Sequence, residues 1–153
     1  LITLAEHFAK ERPEYDIYFI SLSGEEANLR GSNYFVEHPV MPLANIRYLF
    51  NLDMIGDDNP VQYCEVSESG QRGFDEMSRI NRQNGYFESL HQGELAANSD
   101  HWPFACKDVP CIMFENESGS AFPYYHTAGD NMKTVSMVTY TPLMNLILQF
   151  ISQ

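Results

Sequence analysis

The chain has 153 residues, 44% hydrophobic and 13% aromatic, which suits one domain with a real core and is unlike a disordered composition. Its 21 acidic residues against 9 basic ones give a formal net charge of −12, which argues against a nucleic-acid partner, because phosphates need a basic face. No apolar run approaches the ~18 residues of a membrane span, and no signal-peptide pattern is read in these residues.

Leu1, Leu4, Ala5 and Phe8 recur at helical spacing with no capping residue before them, so a helix is expected already under way at the first residue. With Leu rather than Met in first place, the chain reads as the C-terminal part of a longer protein. Arg12-Pro13 ends the pattern. "YDIYFISLS" (15–23) is apolar and β-rich, as in a buried strand. "NLRGSNYFVEH" (28–38) reads as a short helix closed by Pro39. A second buried strand is expected over 46–56, ending in Gly56 and the acidic turn "DDNP", and a third over 61–66.

Residues 72–84 place Phe74, Met77 and Ile80 on one helical face, with Gly85 as the stop. An edge strand is expected over 86–90, a loop or short helix over 99–106, a further buried strand over 109–116, and a loop over 117–131. The last helix carries the stripe Leu143, Leu146, Ile147, Phe150 and Ile151, with Thr141 as its cap and Pro142 in the first position. Cys64, Cys106 and Cys111 lack CxxC spacing and read as buried or free thiols.

Strands alternating with helices predict an α/β fold, a sheet covered on both faces. Ligands bind such sheets at the carboxyl ends of strands. Glu25 and Glu26 follow the first strand, Asp53 ends the second, and His126 follows the last after a loop. Carboxylates and an imidazole converging there suit a divalent metal such as zinc. A cation would offset the repulsion between Glu25 and Glu26, leaving one to bind it and the other to take a proton from bound water. Taken singly, the same residues read as a solvated acidic pair, a turn-forming Asp and a satisfied His.

Four segments in register, "SGEEANLRGSNYF", "FNLDMIG", "SDHWPF" and "YYHTAGDN", resemble the zinc-dependent exopeptidases of metallopeptidase family twenty-eight. That family includes bacterial leucyl aminopeptidases and is related to glutaminyl cyclases and glutamate carboxypeptidase. The resemblance covers essentially the whole chain. It implies a three-layer α/β/α sandwich on a mixed, mostly parallel sheet, with residues 1–153 forming the C-terminal portion of one catalytic domain. It implies Glu25 as general base, Glu26 and His126 on one zinc, and Asp53 on a second. Two such ions about 3.5–4 Å apart would activate a water against a peptide carbonyl. Tyr125, Asp100 and His101 are candidates for lining the substrate pocket or orienting ligands, Tyr125 equally for plain packing. His7, His38 and His91 are given no role.

Asn28 stands where the family has glycine, and Asn tolerates the left-handed conformation that glycine would supply. The family's remaining ligands, an HxD histidine and a bridging aspartate, have no counterpart upstream of Glu25. The isolated chain is therefore expected to bind zinc poorly, to lack peptidase activity, and to expose an unpaired strand edge that invites dimerisation. One carboxylate of the glutamate pair is expected to titrate high. Two other functions stay open: a single-zinc glutaminyl cyclase, although the cyclases favour Trp where Tyr125 precedes the histidine, and a non-catalytic domain that kept the fold. An exported location is an expectation from the family alone.

Overall fold

A computed structural model describes residues 1–153, the side chain of Ser120 excepted. Four strands form one sheet in the order β1 (Leu49–Leu52), β4 (Cys111–Asn116), β2 (Val61–Val66), β3 (Ser89–Gly93). The β1–β4 and β2–β3 pairs are parallel and β2–β4 is antiparallel, giving a mixed, mostly parallel sheet.

Alternation along β4 explains the layers, because successive side chains leave opposite faces of a strand. Ile112 and Phe114 join Cys64 and Val66 on one face. There they meet α1 (Ile2–Phe8), α3 (Gln71–Asn84) and α5 (Tyr140–Ile151) through Leu4, Phe74, Met77, Ile80, Leu143, Leu146 and Ile147. Cys111 leaves the other face and packs with Val109, with Val36 of α2 (Arg30–Glu37) and with Phe104 of α4 (Trp102–Ala105). Helices therefore cover both faces, as the three-layer expectation required. Gly85 stops α3 in the left-handed conformation at φ 67, where glycine pays no Cβ penalty.

Several boundaries differ from the sequence reading. The strand expected over 46–56 is paired only over Leu49–Leu52, and the edge strand lies at Ser89–Gly93 rather than 86–90. The last helix starts at Tyr140, so Thr139 takes the capping position and Thr141 and Pro142 lie inside the first turn. Thr139 makes no capping bond; its hydroxyl donates to the Asp57 carbonyl at 3.0 Å and ties the helix start to the loop after β1.

The largest correction concerns 15–23. This stretch forms neither helix nor strand and pairs with no strand, and Tyr15, Tyr18 and Phe19 are exposed. A cavity of about 1080 Å3 separates it from β1, lined by Tyr15, Ile17 and Phe19 on one side and by Tyr48, Phe50 and Leu52 on the other. β1 pairs only with β4, so its outer edge carries unpaired backbone groups. The physical reason is simple: a β-rich run becomes a strand only when a neighbour supplies its hydrogen bonds.

Phe114 is fully buried and its ring centroid lies 6.1 Å from that of Phe50. Phe114→Ala should destabilise the chain by about 3–5 kcal/mol, read as a lower urea midpoint at unchanged slope; a loss under ~1 kcal/mol would contradict this core assignment.

Candidate metal centre

The glutamate pair occupies one turn of 3-10 helix, Glu25–Ala27, entered through Gly24 at φ 72 and left through Asn28 at φ 66 and Leu29 at φ 54. Asn28 thus adopts the left-handed conformation expected of it. Leu29 has no such excuse, and a left-handed leucine costs about 1–2 kcal/mol. Its burial and the bond that Asn33 Nδ2 donates to its carbonyl at 2.8 Å hold it there. Gly31 closes the turn: its N–H donates to the Ser23 carbonyl at 2.9 Å, so close that a Cβ on Gly31 would lie 2.5 Å from that oxygen.

Asp53 follows β1 directly, its N–H donating to the Phe114 carbonyl at 3.1 Å. Met54 behind it is left-handed at φ 48, and Asn116 Nδ2 donates to the Met54 carbonyl at 2.8 Å. His126 lies in the loop after β4 and is itself left-handed at φ 54. Apart from Asp108, every non-glycine residue at positive φ belongs to or adjoins these three site segments. Backbone strain gathers where the surrounding structure over-determines geometry, typically at functional sites.

Glu26 and His126 meet. His126 Nε2 lies 2.7 Å from Glu26 Oε1, and the imidazole stacks on Tyr125 at 3.8 Å between ring centroids. The side chains are 54% and 72% exposed, so as a bare ion pair they contribute little. Glu25 is the member of the pair held above the usual carboxylate range, by burial first and then by the neighbouring charges of Glu26, Asp53 and Asp100, with His126 pulling the other way. This matches the expectation that one of the two titrates high. Tyr125 is likewise raised, by burial and then Glu26 and Glu25, which keeps its hydroxyl protonated.

Asp53 does not touch that pair. Its Oδ2 accepts a 2.5 Å hydrogen bond from the Ser99 hydroxyl, which in turn accepts from Asn51 Nδ2 at 2.8 Å. Asp100 accepts from Ser32 Oγ at 2.6 Å, tying the 94–101 loop to α2 behind the Glu25 turn. His101 is fully buried beside Glu65, so it lies behind the site and does not line a substrate pocket. Carboxylate oxygen and imidazole nitrogen are the donors zinc takes. Among the described residues, however, no three His, Cys, Asp or Glu side chains stand together so as to hold a metal ion. The donors fit zinc in kind but are too few for a complete site.

Sequence reasoning missed Ser99, Asn51, Ser32 and Glu115. Ser99 and Asn51 sit beside motif residues already singled out and were visible as neighbours. Glu115 shows only through register: Leu52 pairs with Phe114, so Asp53 falls level with Glu115 on the adjacent strand. Burial, then Glu65 and Asp53, push the Glu115 carboxyl up to about 7.

A raised carboxyl binds its proton more tightly folded than unfolded, so Glu115 should cost stability as pH rises from about 4.5 to about 7. Glu115→Gln should flatten that decline in thermal melts of the chain; an unchanged slope between wild type and variant would contradict it.

A model of peptidase family M28 matches residues 1–151. Aminopeptidase YwaD of Bacillus subtilis (strain 168) is 29% identical over 128 residues, covering 79% of this chain and 28% of its own length. The structure of BSAP, a zinc aminopeptidase from Bacillus subtilis, superposes with a TM-score of 0.76 at 25% identity, over 97% of this chain and 38% of that one. A Bacteroides thetaiotaomicron glutaminyl cyclase bound to N-acetylhistamine shares the fold with a TM-score of 0.74 at 22% identity, over 98% and 58% of the two chains. The chain thus spans well under half of the two aminopeptidases it is compared with. It belongs to peptidase family M28.

Proposed function

We propose that these residues are part of a zinc aminopeptidase that removes N-terminal residues from peptides. The observation that carries the reading is the meeting of Glu26 and His126 at 2.7 Å beside Glu25, whose carboxyl is held high by burial and by the acids around it. The 29% identity to an aminopeptidase supports hydrolysis over cyclisation.

In this reading Glu26 and His126 would hold one zinc and Asp53 would belong to a second, and zinc, when bound, would supply an activated water and polarise the scissile carbonyl. Glu25 remains free of metal. It takes the proton from water as the carbonyl carbon gains its new C–O bond, and returns it to the nitrogen as the peptide C–N bond breaks. A raised pKa suits that shuttle, because the carboxyl must hold the proton between the two steps. Tyr125, kept protonated and stacked on His126, stands ready to donate a hydrogen bond to the developing oxyanion.

Part of the site lies outside these 153 residues. The cavity between residues 15–22 and β1, and the unpaired outer edge of β1, suit a strand from another part of the same catalytic domain. Such a strand would turn both apolar walls into sheet neighbours and would end near the edge that carries Asp53. In the 153-residue chain alone, the same unpaired edge is where two copies would pair.

The complete protein should release N-terminal residues from unblocked peptides, and Glu25→Gln should lower kcat by roughly 10²–10⁴-fold with zinc content retained. Near-wild-type turnover in that variant would remove Glu25 from its role, and pyroglutamate formation from N-terminal glutamine without hydrolysis would establish the cyclase instead. The 153-residue chain by itself should hold well under one equivalent of zinc after dialysis; a stoichiometric, active zinc enzyme would overturn the shared-site account.

A further inference from the structure

The 94–101 loop carries two side chains that reach the site, Ser99 to Asp53 and Asp100 to Ser32. What holds the loop is a carboxylate of β2. Glu65 is 2% exposed, and its Oε2 accepts from the Ala96 N–H at 2.8 Å while its Oε1 accepts from Asn98 Nδ2 at 2.7 Å. His101, with no exposed surface, closes the loop from its other end with Nε2 3.3 Å from Glu65 Oε2. Three residues of one loop therefore converge on one buried carboxylate.

A charge in that position is costly unless it is hydrogen-bonded and paired. Burial pushes Glu65 up, and the His101 imidazole beside it together with the bonds from Ala96 and Asn98 outweigh it, so the carboxyl stays below its ordinary range. The His101 contact is one of proximity at 3.3 Å, its ring nitrogens making no hydrogen bond. An apolar side chain would fill the same space without that cost. It could not gather a backbone N–H, an amide and an imidazole from successive positions of a loop. The arrangement therefore supplies geometry that packing alone cannot.

We propose that Glu65 and His101 are positioning residues of the site: they fix the 94–101 loop on the sheet, and through Ser99 and Asp100 they set the Asp53 carboxylate and the turn bearing Glu25 and Glu26. The proposal rests on the reading of Asp53 as a zinc ligand. Asp53 has one hydroxyl partner, Ser99, and that hydroxyl is itself aimed by Asn51. A shift of the loop would turn the carboxylate away from the metal without touching any ligand. Outer partners of this kind commonly change metal affinity by ~10–100-fold.

The test uses the complete protein and Glu65→Gln, which keeps the shape and removes the charge. Zinc affinity by chelator competition should fall by roughly tenfold or more. The loss should be clearly smaller when Glu65→Gln is made in a Ser99→Ala background, since the part that reaches Asp53 runs through Ser99 and only the part through Asp100 remains. Amide hydrogen exchange over 94–101 in the zinc-free protein should quicken, a readout that needs neither metal nor turnover. If Glu65→Gln does not fold, Asn98→Ala removes one loop contact and should show the same pattern more weakly. Wild-type zinc affinity, unchanged exchange, or losses that add in full to those of Ser99→Ala would each overturn the proposal. A protein that binds zinc yet cleaves no peptide would sink the aminopeptidase reading and leave the affinity and exchange comparisons to decide this one.

Discussion

Everything at the carboxyl edge of this sheet follows from like charges brought close together. Glu25, Glu26, Asp53 and Asp100 gather there and Glu115 joins them by register; burial first, and then neighbouring carboxylates, raise Glu25 and Glu115. His126 brings an imidazole to the site, paired with Glu26 and stacked on Tyr125. A fold does not hold such an arrangement for stability, because a carboxylate whose pKa is raised costs free energy once it ionises. In the proposed reading a bound cation would offset that repulsion; the backbone is left-handed at Leu29, Met54 and His126, beside or within the segments that carry these groups.

The edge is built from different depths of the fold. Asp53 is fixed by the core, since it follows a strand held by Phe114 and its neighbours. Glu25 and Glu26 are fixed by a turn wedged against Gly31, where no side chain larger than hydrogen fits. His126 depends on a long surface loop and on its stack with Tyr125. The 94–101 loop joins the first two of these supports, with Ser99 on Asp53 and Asp100 on the helix behind the glutamates.

How much of this was legible in the sequence depended on how local the cause was. The α3 stripe of Phe74, Met77 and Ile80, stopped by Gly85, is a periodicity plus a cap, and it appears as read. The left-handed Asn28 is likewise local chemistry. Residues 15–23 have the composition of a buried strand and lie exposed and unpaired, because pairing depends on a neighbour and not on composition. Four motifs identified Glu25, Glu26, Asp53 and His126 as candidates together; the structure brings Glu26 to His126 but leaves Asp53 on Ser99. Glu115 and Glu65 escaped notice because a glutamate inside an apolar run carries no local signal. Only the strand register shows which face each one takes.

The central claim is that these residues are one part of a zinc site completed by another part of the same domain. A crystal structure of the complete protein with zinc located by anomalous scattering tests it most directly. The account predicts one ion bound by both Glu26 and His126, a second on Asp53, Glu25 unligated beside them, and the remaining ligands supplied from outside these 153 residues. Zinc bound elsewhere, or Glu25 as a ligand in place of Glu26, would contradict it.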